Sequence, residues 1–502
     1  MLTDQQAGHI RHMRNLMAQP DGDWSHMDSM EAGQEGLSSY RYQLGHIVYA
    51  LGLAHYHHLP AAPCVFKEAM QAAIRKMLRR EVWGYWFEAS QSDKRIDPDL
   101  EERREQWHDP VVKENIMYSG HLHAMAGMYG VLFDDDRYER EGGLTIRHSP
   151  LFVGEEMEFS YDFSSINDII YWQMVENGWL GVACEPNCIF LVCNQFPMLG
   201  FRFHDVRKGT TIAEEAAAGY RQAWADRDVL DRPGTMPMML MVRQNVLVPG
   251  GPATDSHTGA IMHAWNRDFV REHRRSQVYH ALKTAEDGTI SLRPLAMLPG
   301  TAESYEEAGK DAAVDELAVQ WSTPDFGTVL MWLSELGDEE TLAAMQAHAD
   351  KHMNPTWEKG GLYYPRNDRS YDDSGNLTFV EPLTGNVLAG YARLNVPDGL
   401  WQLYNHPWGK EHFSQPHLAE CPFELDVLQA RYDDEERKLS LTLRPALADK
   451  VEARLVLTNS GGGPCTILRD GEVLETAEGE RVELDITIDR QTGLQLVRDG
   501  AK

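Results

Sequence analysis

The spacing of apolar residues divides the chain into a long helical region and a shorter C-terminal region of strands. From about residue 40 to residue 391, apolar side chains recur at intervals of three and four residues, which is typical of amphipathic helices. In the first such segment Leu44, Ile47 and Leu51 lie on one face. The pattern predicts helices over residues 42–57, 65–80, 111–133, 166–177, 212–225, 261–273, 327–336 and 339–353.

Helices in this number, arranged as antiparallel pairs, suit a helical toroid. The sequence contains no repeat of fixed period, so a solenoid is not expected. After about residue 406 apolar and polar residues alternate, and turn-forming residues separate the alternating segments. This pattern predicts a small antiparallel β-sandwich. We therefore expect an N-terminal arm over residues 1–40, a helical domain over residues 41–405 and a β-rich accessory domain over residues 406–502.

Two segments interrupt the helical pattern. Residues 134–164 are strongly acidic yet contain several phenylalanines and tyrosines, which suits either a lid over a cavity or a surface insertion. Residues 236–252 contain two short apolar runs and are predicted to form a hairpin that lines the cavity.

Charge and composition exclude several classes of partner. The 502 residues include 47 Lys and Arg against 77 Asp and Glu, a formal net charge of −30, whereas a nucleic-acid-binding protein needs a basic surface. No apolar run is long enough to cross a membrane, and residues 1–21 lack the pattern of a secretory signal. We therefore expect no nucleic-acid partner, no membrane span and a cytoplasmic location.

A histidine on a methionine-rich helix face is the first candidate for chemistry. His121 shares its face with Met117 and Met125, which lie four residues before and after it. Burial on such a face disfavours the charged imidazolium and keeps the ring available as a base near neutral pH. The alternative is a core histidine that hydrogen-bonds a backbone carbonyl.

Three of the six cysteines lie close together in the sequence, at Cys184, Cys188 and Cys193. Their spacing lacks a second Cys-x-x-Cys pair, and His121 and His123 point about 200° apart on a helix, so a metal site is not expected. Nucleotide-binding and serine hydrolase motifs are absent from the sequence. We therefore expect no metal and no nucleotide cofactor.

The segment around Cys184 is predicted to start a helix. Pro186 is suited to the first turn of a helix, which would place Cys184 at a helix N-terminus, where the partial positive charge favours a thiolate. A thiol in that position serves as a nucleophile or as an acid/base group. Cys188 and Cys193 are equally consistent with plain buried side chains. Glu185 adds a polar group to an otherwise apolar strip.

Two strings in this part of the chain resemble the signature segments of the linalool dehydratase/isomerase family. They are residues 115–122 (NIMYSGHL) and residues 184–187 (CEPN), the latter followed by Phe190 and by Cys193. Residues 82–86 (VWGYW) and 49–54 (YALGLA) resemble further segments of the family. The similarity covers residues 25–395 and excludes the C-terminal β-rich region.

The resemblance implies an (α/α)6 barrel with a cofactor-free site in its central cavity and catalytic positions at His121, Cys184 and Cys193. Asp23 is the candidate for the family's catalytic aspartate. Members of the family dehydrate linalool to myrcene and interconvert linalool with geraniol, and some form rings of subunits. The resemblance therefore allows a homo-oligomer.

Residues near these positions are the candidates for substrate binding. Met117, Tyr118, Met125 and Phe190 are expected to form a dry apolar wall, and Glu185 is expected to take part in substrate binding. Loss of a hydroxyl group together with a proton requires acid/base groups and the exclusion of water.

The leading hypothesis is a cofactor-independent lyase or isomerase that acts on a small apolar alkenol or a terpenoid-like metabolite through Cys/His chemistry. One alternative is a carbohydrate-active helical barrel, an epimerase, hydrolase or polysaccharide lyase. Its candidate catalytic carboxylates are Asp168, Glu176 and Glu185. The tryptophans that could stack on sugar rings are Trp172, Trp179 and Trp357. Another alternative is a non-catalytic protein that binds an apolar ligand and has structural cysteines.

Overall fold

The computed structural model describes residues 1–149, 151–152, 154–230, 235–293 and 320–498, and in these ranges a mainly helical body precedes a C-terminal region of sheets. The helices are α1 (Asp4–Ala18), α2 (Tyr40–His57), α3 (Lys67–Met77), α4 (Arg80–Trp83), α5 (Trp86–Ala89), α6 (Ile116–Phe133), α7 (Phe163–Glu176), α8 (Phe196–Lys208), α9 (Ile212–Ala225), α10 (Pro252–Gln277), α11 (Asp325–Leu336), α12 (Glu339–His352), α13 (Ala389–Leu394), α14 (Gly399–Asn405) and α15 (Lys410–Phe413). A π-helical turn, Thr384–Leu388, leads into α13.

The helix predicted over residues 212–225 has the observed bounds of α9, and the helix predicted over residues 42–57 starts two residues later than α2. Helices α1 and α8 were not predicted. In α1 the buried residues include histidines and arginines, so the apolar pattern in its sequence is weak. The polar groups of these buried side chains form some of their hydrogen bonds with distant parts of the chain. A local sequence pattern does not reveal such partners.

Helix α1 joins the helical body to the C-terminal sheets. Thr3 caps its first turn, with its hydroxyl accepting a hydrogen bond from the Gln6 amide. The Arg11 guanidinium donates to the Asp426 carboxylate at 2.7 Å, and both residues are buried. The Leu2 amide donates to the Leu428 carbonyl at 2.8 Å. Strand contacts from the C-terminal region therefore hold the start and the middle of α1 in place.

Helix α6 lies at the centre of the body, because every residue from Ile116 to Leu132 is buried. It packs against α2, α3, α7 and α8. Two glycines in α2 allow α2 and α6 to approach each other closely. A Cβ atom on Gly45 would lie 2.5 Å from the His121 Nδ1 atom, and one on Gly52 would lie 2.5 Å from the Met128 Sδ atom.

The strands of the body form short antiparallel sheets. They are β1 (Leu144–His148), β2 (Met157–Tyr161), β3 (Cys188–Phe190), β4 (Pro237–Met241), β5 (Val246–Pro249), β6 (Leu282–Thr284), β7 (Ile290–Leu292), β8 (Thr356–Glu358) and β9 (Gly361–Tyr363). Strands β1 and β2 pair within the acidic insertion at 134–164, so this segment contains a hairpin. Strands β4 and β5 form the hairpin predicted over residues 236–252, and β3 pairs with β4.

The C-terminal region forms two antiparallel sheets. Its strands are β10 (Leu418–Glu420), β11 (Leu425–Asp433), β12 (Lys438–Pro445), β13 (Val451–Thr458), β14 (Cys465–Arg469), β15 (Glu472–Ala477), β16 (Arg481–Ile488) and β17 (Thr492–Arg498). One sheet has the order β10-β13-β16 and the other has the order β11-β12-β17-β14-β15. Alternate residues are buried along β16, as the alternating sequence predicts. Strand β15 was not predicted because it is an almost fully exposed edge strand without an apolar face.

None of the described helices combines the length and the apolar composition that a membrane crossing requires.

The contact between α2 and α6 predicts opposite effects for two glycine substitutions. We expect Gly52→Ala to lower the free energy of unfolding by about 1–3 kcal/mol, because the new methyl group overlaps Met128. Gly130→Ala, in α6 itself, is the matched control. Its Cβ atom would lie 3.4 Å from the Glu139 carboxylate, an ordinary contact, so the higher helix propensity of alanine should raise stability by about 0.5–1 kcal/mol. Urea unfolding measures both, and equal effects would contradict the close packing described here.

Candidate functional site

The candidate site lies between α2, α6 and the loop of residues 183–195, which we call the cysteine loop. Pro186 does not open a helix in this loop. The Cys184 amide donates to the Cys188 carbonyl at 2.8 Å, and the Cys188 amide donates to the Glu185 carbonyl at 2.9 Å. Asn187 has a φ of 77°, so the chain turns sharply and continues into β3. The prediction of a helix N-terminus beside Cys184 is therefore wrong, because β3 pairs with β4 instead.

The cysteine loop is fixed to the start of α6. The Asn115 amide donates to the Cys184 carbonyl at 3.0 Å, and the Ile116 amide donates to the Ala183 carbonyl at 3.2 Å. The first amides of a helix lack partners within the helix, and here the loop supplies them. The Asn194 side chain ties the ends of the loop together, since its oxygen accepts from the Val182 amide at 2.7 Å.

This loop brings two thiols together in the interior. Cys184 is 2% exposed and Cys193 is fully buried. The two thiols interact electrostatically, and the Cys193 Sγ atom donates to the Met117 Sδ atom at 3.5 Å. Burial and the neighbouring thiol raise the pKa of Cys184 well above its ordinary value. Cys184 is therefore a neutral thiol at rest and not the thiolate that a helix N-terminus would have favoured.

His121 is buried on the same side of α6 as Met117. Its Nδ1 atom lies 2.9 Å from the Tyr49 hydroxyl, and its ring packs on Phe196 with centroids 3.9 Å apart. Its Nε2 atom has no hydrogen-bond partner among the residues that the structure describes. Burial lowers the pKa of His121 well below its ordinary value. The imidazole is therefore neutral, with one nitrogen engaged and the other unpaired.

Tyr42 connects the histidine to the thiols. Its ring meets the His121 ring edge-on with centroids 5.6 Å apart, and its hydroxyl is buried and, within the described part of the chain, unpaired. Burial raises the pKa of Tyr42, which also interacts electrostatically with Cys193 and Cys184. An unpaired phenol, an unpaired imidazole nitrogen and two thiols therefore lie together in an apolar environment.

A pair of histidines forms a second layer behind this cluster. The Nε2 atoms of His46 and His257 lie 2.9 Å apart, and the His46 Nδ1 atom lies 2.8 Å from the Tyr42 carbonyl. A carbonyl can only accept, so His46 carries its proton on Nδ1 and accepts at Nε2 from His257. Burial lowers the pKa of His46 to about 4. The His46 ring lies 5.6 Å from the His121 ring.

A surface recess adjoins the cysteine loop. Its volume is about 630 Å³, and it is lined by Glu185 and Phe190 from the loop together with residues from the region around α5. Glu185 is partly exposed and interacts electrostatically with Cys184. The two loop residues predicted to bind substrate therefore line a surface recess beside the loop that carries the thiols.

Two of the predicted site residues lie elsewhere. Tyr118 points towards α3, where its hydroxyl donates to the Met77 carbonyl at 3.0 Å, because on a helix it is turned about 100° from Met117. Asp23 lies in a surface turn in which its carboxylate accepts hydrogen bonds from the Ser25 amide and hydroxyl, and these lower its pKa. Neither is brought into contact with the thiols. Met125 is buried on α6, one turn after His121.

Tyr42, His46 and Tyr49 were missed from the sequence. They are spaced by four and three residues on α2, which is the same signal that identified the stripe around His121 on α6. The helix was predicted from the apolar residues of α2, so the polar residues between them were overlooked.

The residues considered for a metal are dispersed. The His123 ring packs on Phe163 and Phe201 on another side of α6, and the Cys188 Sγ atom lies 3.8 Å from the Ile96 carbonyl. Within the described ranges, no group of three or more His, Cys, Asp or Glu side chains is arranged to bind a metal ion.

The residues considered for carbohydrate binding also separate. Trp172, which is 59% exposed, and Glu176 line a surface groove of about 1220 Å³ beside the outer face of the cysteine loop. Trp357 lies against Gly8 of α1, and Trp179 lies against Gly219 of α9. The tryptophans therefore do not form a common platform.

The buried histidines predict a loss of stability in mild acid. His123, whose pKa burial lowers to about 3, stays neutral in the folded state, whereas the unfolded chain takes up a proton below about pH 6.5. The free energy of unfolding should therefore fall as the pH is lowered from 7 to 5, with a slope that approaches about 1.4 kcal/mol per pH unit for each such histidine below pH 6.5. In His123→Leu the slope of the free energy of unfolding against pH should decrease by the contribution of one proton. Urea unfolding at several pH values measures it, and an unchanged slope would show that His123 is protonated in the fold.

A comparison with known protein families agrees with the sequence resemblance. The model of the linalool dehydratase/isomerase family matches residues 41–370, which is more than half of the chain. Among solved structures, a GH127 beta-L-arabinofuranosidase from Geobacillus stearothermophilus T6 aligns with 98% of this chain and 76% of its own length, at 10% identity. Its TM-score of 0.27 is too low to indicate a shared fold. The match over residues 41–370 shows that the chain belongs to the linalool dehydratase/isomerase family.

Proposed function

We propose that the chain is a cofactor-independent lyase or isomerase that removes or moves the hydroxyl group of an apolar alkenol or terpenoid-like metabolite. The observation that carries this proposal is the combination of thiols, a neutral imidazole and a phenol in one water-poor cluster. His121 Nε2 and the Tyr42 hydroxyl lack partners among the described residues, which is costly unless a ligand supplies them.

We also propose that the helical region of residues 41–405 is an (α/α)6 barrel with the cluster in its central cavity. The central position of α6, its contacts with α2, α3, α7 and α8, and the family membership support this arrangement. The family supports the same location for catalysis, between α2, α6 and the cysteine loop.

The residues of the cluster can move the protons that a dehydration requires. The tautomer of His121 with its proton on Nδ1 donates to Tyr49 and leaves Nε2 as a base. This nitrogen would accept the proton lost from the carbon next to the alcohol. A proton from the Tyr42 hydroxyl or from a thiol would reach the departing hydroxyl, which leaves as water. Return of the proton from His121 to its donor restores the site.

The apolar surroundings suit a hydrocarbon chain. Met117 and Met125 lie on the same side of α6 as His121, and Phe196 covers the imidazole ring. Methionine side chains adapt to irregular shapes and make favourable contacts with aromatic groups. Phe190 and Glu185 at the recess would bind the substrate during entry.

A second candidate function is carbohydrate binding at the outer groove. The exposed Trp172 side chain and the Glu176 carboxylate line this groove, and an exposed indole ring suits stacking on a sugar. The thiol and imidazole cluster contributes nothing to such a function, so we place it second.

We predict that purified, reduced protein converts at least one member of a panel of allylic alcohols into an alkene or a rearranged alcohol. Cys184→Ala and His121→Ala should each lower the rate by about 10²–10⁴-fold, the usual contribution of a positioned acid or base. Gas chromatography of headspace and solvent extract measures both products.

Cys188→Ala is the matched control, because Cys188 is a buried thiol of the same loop that faces Ile96, and it should retain activity. Unchanged turnover in Cys184→Ala would refute the assignment of the thiol. A protein that converts no alcohol but cleaves or epimerises a sugar would establish the second candidate instead.

A further inference from the structure

Arg41 is an unusual neighbour for a site that acts on an uncharged alkenol. It is the second residue of α2, is fully buried, and forms no ion pair with a carboxylate in the described part of the chain. Its guanidinium donates to the Gln34 carbonyl and, at 2.9 Å, to the Glu35 carbonyl. Its Nε atom has no partner among the described residues. A buried cation is costly unless negative charge, permanent or transient, lies close to it.

The guanidinium stacks on two tyrosines beside the thiols. Its Cζ atom lies 4.8 Å from the centre of the Tyr42 ring and 4.1 Å from the centre of the Tyr85 ring. The Tyr85 hydroxyl donates to the Asn115 side chain at 2.5 Å, so this phenol already has an acceptor. The Tyr42 hydroxyl, in contrast, is unpaired within the described ranges and lies among the groups of the site.

Besides the two tyrosines, titratable groups from several elements interact with Arg41. Cys184 and Glu185 of the cysteine loop interact with it electrostatically, as do Glu35, which precedes α2, and His121 of α6. Glu35 is exposed and Glu185 is partly exposed, so water screens both carboxylates. Tyr85, Tyr42 and Cys184 are buried, and the field of Arg41 therefore acts more strongly on them than on the two screened carboxylates.

We propose that Arg41 is a positioning residue that stabilises negative charge on Cys184 and so directs the reaction through a covalent thioether and away from a free allylic cation. A fixed cation beside the reacting carbon raises the energy of a carbocation and lowers that of a thiolate. The inference deepens the proposed function, on which it rests for the identity of the reacting thiol.

The covalent route balances without any added reagent. In the first step the Cys184 sulfur forms a bond to the allylic carbon while the carbon–oxygen bond breaks. The thiol proton passes to the Tyr42 oxygen as the phenol proton passes to the leaving hydroxyl, which departs as water. In the second step the adjacent carbon gives its proton to His121 Nε2, and the carbon–sulfur electron pair returns to sulfur. The resulting thiolate faces Arg41 until His121 returns the proton.

The test is the rate at which iodoacetamide alkylates Cys184 at mildly alkaline pH, resolved for each cysteine by peptide mass spectrometry. This rate follows the thiolate fraction. Loss of a nearby opposite charge shifts a pKa by about 1–3 units, so Arg41→Gln should lower the rate by about 10-fold or more. Arg41→Lys retains the charge and should restore most of the rate. Arg41→Met is a second uncharged variant that fills the same space.

Arg14→Gln is the matched control, because Arg14 is a buried arginine that stacks on Phe423, outside the site. Its substitution should leave the alkylation of Cys184 unchanged. Thermal unfolding checks that each variant folds. Equal rates in the wild type and the uncharged variants, or no alkylation of wild-type Cys184, would overturn the inference. The measurement needs no substrate, so its failure is distinct from a failure of the proposed function, which the alcohol assay detects.

Discussion

Removal of water from the polar groups between α2 and α6 is the constraint on which the site depends. The close approach of these helices at Gly45 buries His121 against Tyr49 and Phe196. Burial lowers the pKa of His121 and raises that of Cys184, so both groups stay uncharged near neutral pH. A neutral base and a neutral thiol can then exchange protons with a substrate without competition from solvent.

The same constraint explains why the cysteine loop is tied so firmly to its surroundings. Its carbonyls supply the start of α6 with hydrogen-bond acceptors, and β3 anchors it to β4. A loop without such ties would admit water to Cys184 and Cys193. Arg41 is the exception to neutrality in this region, and its fixed charge is what would distinguish a thiolate route from a purely acid/base route.

The sequence was sufficient for the parts of the site that depend on local spacing. The stripe of Met117 and His121, the β4–β5 hairpin and α9 all follow from periodicity, and Cys184 and Cys193, which the family resemblance singled out, lie on one loop beside α6. Features that depend on distant partners were not predictable. Pro186 favours a helix locally, yet pairing of β3 with β4 decides the conformation. The polar residues of α1 are buried because the C-terminal sheets and strand β9 pack on them.

The charge state of His121 tests this account most directly. Carbon and nitrogen NMR of protein with isotope-labelled histidine, compared with the spectrum of His121→Gln, isolates the signal of this ring. The account predicts a neutral imidazole that shows no titration around its ordinary value of 6.5 and remains neutral as the pH falls further while the protein stays folded. An imidazolium that forms near pH 6.5 would contradict it, because water would then reach the site and the base would be charged when the substrate binds.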